Sequence, residues 1–292
     1  MAESNVDNYL ALARSASMAG NHNEAIEYYN KVLEIQPNDF TAWFGKGQAA
    51  GWLSSIASFR FGEMLVGFEN AIRFSNDDIK LKKECAEQIN EIVTTCYGMC
   101  RKHINEFVAL PDMWSNYIVQ CSEILSAYEE AHNYDESNEI IIRNIITVCE
   151  DNISGIAYSD PYDNNNSKSV FLSEDYEKLM RDMILTYGNK LKELDPNYQI
   201  PNPSAAKPSA CFVVTATMGD SNNNVVNSLR EFRDSVLSKS RMGSLFITWY
   251  YKEGPGIAKV VGCSIFYRML SFVAIVLPAY IFAKIILKIK RS

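Results

Sequence analysis

The chain has 292 residues, 47% of them apolar, and a net charge of −7. That length suits two modules, and the apolar fraction is enough to bury a sizeable core. The charge is divided: residues 208–292 carry eleven basic and four acidic side chains, a net +7, and residues 1–207 carry a net −14. The acidic part repels phosphates, which excludes broad nucleic-acid binding there, while the basic part suits anionic lipid headgroups. Seven cysteines (Cys85, Cys96, Cys100, Cys121, Cys149, Cys211 and Cys263) form no CxxC pair. The odd count and the spacing argue against a disulfide framework or a zinc site and for a reducing compartment. Cys96 and Cys100 share a predicted helix face, where two thiols alone cannot complete a tetrahedral site, so they read as small buried hydrophobes. Residues 1–7 are polar and acidic and do not read as a secretory signal.

From Tyr9 to Met18 the pattern is helical, Gly20–Asn23 breaks it, and a second helix is predicted over Glu24–Ile35, ending at Pro37. Leu12, Ala13 and Ala16 are spaced to pack on Ala25, Tyr29 and Val32, with small Ala25 where two helices approach and Tyr29 beside it. The stretch GNHNEAIEYYNKVLEIQPND, with Gly20, Ala25, Tyr29 and Pro37 at fixed spacing, resembles a tetratricopeptide repeat (TPR); Tyr9 stands at the family's Trp position and Ala13 at its first Gly. A second unit is degenerate. Trp43 and Gly47 follow Tyr9 and Ala13 by 34 residues, but Phe68, Ala71 and Ile72 follow Tyr29, Val32 and Leu33 by 39, so about five residues are inserted around 51–55. The glycines of GKGQAAG (45–51) lack the spacing of a phosphate-binding loop and read as helix packing.

Further helices are predicted over 78–110, over 111–132 with Pro111 at the start, over 135–153 with Ile140–Ile142, Ile145 and Ile146 inward, and from a capping signature at Ser173 to before Pro196. The Asn/Asp-rich stretch 159–169 reads as a mobile loop, and 199–209, with Pro201, Pro203 and Pro208, as a linker between modules.

Residues 210–217 are densely apolar and β-prone, and a helix with Leu229, Phe232, Val236 and Leu237 on one face is predicted over 225–238. The positions Cys211, Phe212, Thr215, Gly219, Arg230, Phe232, Arg233, Asp234, Tyr250 and Tyr251 are co-linear with the CFI-box C-terminal domain, which 210–261 resembles. That resemblance implies a modular tail carried by varied bacterial and archaeal proteins and no assigned reaction. Cys211 would need a base to act as a nucleophile. The histidines, His22, His103 and His132, all lie in the acidic part, so a buried packing role is favoured for this cysteine.

From Met269 to Ala283 no residue is charged, Arg268 and Lys284 bracket the run, and Lys288, Lys290 and Arg291 make a basic end. A tail-anchored transmembrane helix comes first, a monotopic segment bent at Pro278 second, and a helix buried against the module third.

The fold expected is mainly α: TPR-like repeats over 1–76, further helical hairpins over 77–198, the linker 199–209, the CFI-box-like module 210–261 and an apolar tail over 262–292. The function expected is a non-catalytic interaction scaffold. A protein or peptide partner would bind the array, and membrane lipid would hold the tail, with the array in the cytoplasm; a wholly cytoplasmic protein is the alternative. No cofactor, metal or nucleic-acid partner is expected. Leu10 and Arg14 occupy positions where the repeat family's chaperone-tail clamp would place Lys and Asn, so chaperone binding is not expected either. The competing readings are a cysteine-dependent or self-processing protein using Cys211, and a structural subunit of a membrane assembly.

Overall fold

A computed structural model describes residues 2–163, 165–204, 212–219 and 223–291. Two compact units are present: Met1–Ile156 with Val170–Ala205, and Ala157–Ser169 with Ala206–Ser292. The first unit is a helical-repeat array of α1 (Ala2–Met18), α2 (His22–Ile35), α3 (Phe40–Trp52), α4 (Phe61–Phe74), α5 (Ile79–Phe107), α6 (Met113–Tyr134), α7 (Glu139–Ser154) and α8 (Glu174–Leu194). Consecutive helices pack in pairs, α1 on α2 through α7 on α8, as the short turns between them demand.

Local chemistry sets the ends of these helices. After α1, Gly20 takes φ +78°, its N–H donates to the Ser17 carbonyl and the N–H of Asn21 donates to that of Ala16. This is the Schellman closure, which needs a left-handed residue at that position. Asp39, Asp78, Asn138 and Ser173 each accept a backbone N–H from the first turn of α3, α5, α7 and α8, relieving donors that have no partner within the helix.

Small residues let the first two pairs close tightly. A Cβ on Gly67 would lie 2.7 Å from the Gly47 nitrogen, and one on Gly47 would lie 2.8 Å from the Met64 carbonyl oxygen. Thus α3 and α4 cross backbone to backbone, and Gly45 opens space for the ring of Tyr29. The glycines of 45–51 are packing residues.

The five extra residues lengthen the turn between α3 and α4, which is closed by a bridge between Ser55 and Ser58. Several expectations need correction. Pro111 stands two residues ahead of α6, whose cap Asp112 is left-handed at φ +60°. Of the isoleucines in α7, Ile141, Ile142, Ile145 and Ile146 are buried, whereas Ile140 faces outward. The stretch 159–169 is a hairpin, β1 (Ile156–Asp160) paired with β2 (Asn166–Val170). Lys168 ties its turn by ion pairs to Asp160 (2.7 Å) and Asp163 (2.9 Å). Residues 200–203 lie against α8: Ile200 fills the space left by Gly188, and Arg181 donates to Asn202 and to the Pro203 carbonyl.

The second unit contains α9 (Phe212–Met218), α10 (Asn224–Ser235), a 3-10 turn at Leu237–Lys239, and α11 (Arg241–Gly262). Its tail is α12 (Ile265–Ser271), a π-helical turn (Phe272–Val276) and α13 (Leu277–Arg291) in direct succession. The β-prone run is therefore helical from Phe212; its burial of Val213 and Val214 outweighs the weak intrinsic preference of β-branched residues. Pro278 does not interrupt the tail. The N–H of Leu277 donates five residues back to Phe272, and this wider turn absorbs the ring that would strike a normal helical turn.

Candidate interaction surfaces

The core of the first repeat gathers Val6, Ala13, Ala16, Ala25, Tyr29, Val32, Ala42 and Ala49, with Tyr9 and Leu10 packed at its edge. Of the sequence-expected packing residues, Ala13, Ala25, Tyr29 and Val32 are buried, Gly20 makes the turn, and Pro37 is exposed at the end of α2. Leu12 is the exception, 38% exposed. Val6, Tyr9 or Leu10, Ala13 and Ala16 recur at three- and four-residue steps along one face of α1, and Leu12 falls outside that stripe. On the outer side, Lys31 lies 5.6 Å from the Tyr9 ring centre and 4.9 Å from that of Tyr28, an exposed cation held on two aromatic faces.

A concavity that the sequence did not announce opens beside the inserted turn. Ile56, Ala57, Ser58 and Phe59 form one wall of a cleft of about 390 Å³, with His103 and Ile104 of α5 and Met113, Asn116, Val119, Gln120 and Glu123 of α6. Gln120 pins the turn by donating to the Ile56 carbonyl at 2.8 Å, and the Phe59 ring stacks on Phe61 at 4.6 Å. The 39-residue spacing was the only forewarning: an insertion in a repeat lengthens a loop, and loops carry binding groups.

Beneath this cleft, α5, α6 and α7 share a polar knot. Tyr97 donates to Asp151 at 2.6 Å, Arg101 pairs with the same carboxylate at 3.4 Å, and Arg101 also donates to the Tyr117 hydroxyl at 3.3 Å. Burial pushes both tyrosine hydroxyls well above their ordinary range, so they stay protonated, Tyr97 as a donor to Asp151 and Tyr117 as an acceptor from Arg101. Burial likewise pushes Cys96 and Cys121 up to about 11, and Cys85, Cys100 and Cys149 up to about 12. Such thiols hold almost no thiolate at neutral pH and make poor nucleophiles. His132, 2% exposed, faces Lys190 with Nε2 2.7 Å from the ammonium nitrogen. Its pKa is lowered, first by burial and then by that lysine. Among the described residues no group of three His, Cys, Asp or Glu side chains is placed to hold a metal ion.

In the second unit the motif residues meet one another. The Phe212 ring packs on Tyr250 and, edge-on at 5.8 Å, on Tyr251. The N–H of Val213 donates to the Tyr250 hydroxyl at 2.9 Å, and Arg233 donates to that of Tyr251 at 2.9 Å. Phe232 is buried against Val226, Leu229 and the tail residues Val276, Ala283 and Leu287. Thr215 lies within α9, its C=O receiving the N–H of Gly219, which is left-handed at φ +74°. Arg230 is partly buried in α10. Cys211 lies outside the described residues, as does the side chain of Asp234.

The tail contains a helix, Ile265–Lys288, whose 24 residues are long and apolar enough to cross a membrane, with 22% of its most apolar window buried. At 1.5 Å per residue this is about 36 Å, against a hydrocarbon core of about 30 Å. One stripe is covered by α10, and Val273, Ile281 and Ile285 lie on the uncovered side. The third sequence reading, a helix buried against the module, thus holds for one face only.

The family model of the tetratricopeptide repeat matches residues 6–49. No curated protein matches the chain. Among solved structures, one match is the crystal structure of YrrB, described as a TPR protein with an unusual peptide-binding site. The identity is 15%, the alignment covers 65% of this chain and 86% of that one, and the TM-score is 0.24. The first unit is a TPR-like helical-repeat array, and the chain ends in an apolar helix.

Proposed function

We propose that the chain is a non-catalytic scaffold that binds a protein or peptide on its helical array and is held at a membrane by its C-terminal helix. The observation that carries the first half is the repeat at 6–49 continued by three more helix pairs. Repeats of this kind stack into surfaces larger than their cores require. The cleft against the inserted turn is the binding site we favour, because it joins apolar Val119 and Phe59 to the polar ends of His103, Asn116 and Gln120, the mixture peptide sites use. The second half is supported by the apolar helix and by the basic side chains around it, with the array in the cytoplasm as the basic flanks suggest.

In this reading the chain is organised as TPR-like repeats over 1–76, helical hairpins interrupted by one β-hairpin over 77–198, a linker at 199–209 whose residues 200–203 pack on α8, a CFI-box-type module over 210–261 and the anchor over 262–292. The mutual packing of Phe212, Arg233, Tyr250 and Tyr251 supports a structural role for that module's motif.

The test is cross-linking and capture from detergent-solubilised membranes with the full chain and with a Val119→Glu variant. Val119 is 60% exposed, so the variant keeps its fold. A partner captured by the wild type and lost with Val119→Glu supports the reading; no partner, or a set unchanged by the substitution, contradicts it.

A further inference from the structure

Helix α11 has two unlike faces. On one, Gly243, Gly254 and Val261 are buried, and the Phe212 ring of α9 sits over Gly254, where an added Cβ would be 3.2 Å from the ring. On the other, Met242, Leu245, Phe246, Trp249, Ile257 and Val260 are all at least 38% exposed, Met242 reaching 78%. These residues recur at three- and four-residue steps from Met242 to Trp249 and again from Ile257 to Val260, within a stripe roughly 120° wide, and Glu253 occupies the step between the two runs. Among the described residues, α10 and the tail approach it only at Phe246, which shares an apolar cavity with Phe232 and Phe282. A soluble helix turns such a stripe toward a core, and a contiguous exposed one marks an interaction surface.

The charges beside the stripe say what kind. Arg241 and Lys259, eighteen residues and so five turns apart, lie along one edge of it, and both are exposed. Basic residues bordering a stripe that carries Trp, Phe and Leu are the pattern of a helix lying at a lipid surface, apolar side down and cations among the headgroups. Trp249 occupies the middle of the stripe, and the Phe246 ring lies 5.9 Å from it; aromatic residues of this kind favour the interfacial depth. Glu253, exposed on the same side, sets a limit on depth, since a carboxylate remains at the headgroups. The next helix begins immediately. Ser264 is extended and caps α12 by accepting the N–H of Phe266 at 3.1 Å, so the apolar surface passes from α11 into the tail with a change of direction.

We propose that α11 is a second, interfacial membrane contact, lying in the headgroup layer of an anionic bilayer with the Met242–Val260 stripe toward the acyl chains. The proposal rests on the membrane-bound reading of the tail and adds to it a fixed depth and face for the module.

The test uses the full chain reconstituted in vesicles of equimolar phosphatidylcholine and phosphatidylglycerol. The acyl chains are brominated either near the headgroup or near the chain end, and the wild type is compared with Trp249→Phe. Trp43, Trp52 and Trp114 belong to the array and supply the unquenched background. The expected result is quenching stronger with bromine near the headgroup and lost in Trp249→Phe. Vesicle binding that resists carbonate, with quenching identical in wild type and Trp249→Phe, overturns the interfacial placement and leaves the tail anchor standing. A chain that does not enter vesicles at all overturns both. A dimer in detergent cross-linked through the stripe, with Trp249 shielded from bromolipid, assigns the surface to a second copy and likewise overturns the proposal.

Discussion

Helices α7 and α11 both follow the 3.6-residue period, and they resolve it in opposite ways. In α7, Ile141, Ile142, Ile145 and Ile146 are at most 2% exposed, because α6 and α8 pack against it on either side. In α11 Met242, Leu245, Phe246, Trp249, Ile257 and Val260 remain outside, and small Gly243 and Gly254 make the inward contact together with the half-buried Tyr250 and Tyr251. An apolar stripe therefore identifies a helix face that must leave water and does not say what removes it. The array supplies its own cover; the C-terminal unit carries more apolar surface than its few helices can bury.

The strongest test of that contrast is a pair of isoleucines. Ile145→Ala, at 0% exposure, should cost about 4 kcal/mol, the transfer and cavity loss of a packed core site. Ile281→Ala, on the uncovered face of the tail, should leave array unfolding unchanged within about 0.5 kcal/mol. Urea titrations followed by circular dichroism check both, and equal losses would remove the distinction. A glycine pair is next. Gly67→Ala drives a Cβ into the Gly47 backbone and should cost about 3 kcal/mol. Gly256→Ala meets nothing within 4 Å and should add up to about 1 kcal/mol of helix stability.

Thiol labelling read residue by residue sharpens the comparison without unfolding anything. In the native protein at neutral pH, Cys85, Cys96, Cys100, Cys121 and Cys149 should alkylate hundreds of times more slowly than an ordinary thiol, since their pKa values near 11 to 12 lie well above about 8.5. Exposed Cys263 should label ahead of these five.

The smallest effect is a pH slope. His132 has a folded pKa below its ordinary value of 6.5, so near pH 6 the unfolded chain binds more protons than the folded one. Stability of the array should therefore fall as pH drops from 7 through that value, and His132→Gln should flatten this part of the profile.

How much of this could be read from residues alone depended on range. The first repeat was readable because its signals are local. Gly20 is needed at a left-handed turn, and Ala25 and Tyr29 are set by one helix hairpin. Leu12 was misplaced because its position on α1 depends on which face meets α2. Residues 159–169 look like a loop in sequence because Lys168, Asp160 and Asp163 hold the hairpin together in place of an alternating apolar pattern. In α9, Val213 and Val214 are β-branched, and packing that no local pattern records makes them helical. The cleft was visible only as an insertion, since its walls come from segments about fifty residues apart.

The central claim is that the tail is in a membrane, and alkaline carbonate extraction of the full chain tests it most directly, alongside a Val273→Asp/Ile281→Asp variant. Both positions lie on the uncovered side of the helix, and array melting should be identical in the two proteins. The account predicts wild type retained in the membrane pellet and the variant released to the supernatant; wild type released by carbonate would contradict it.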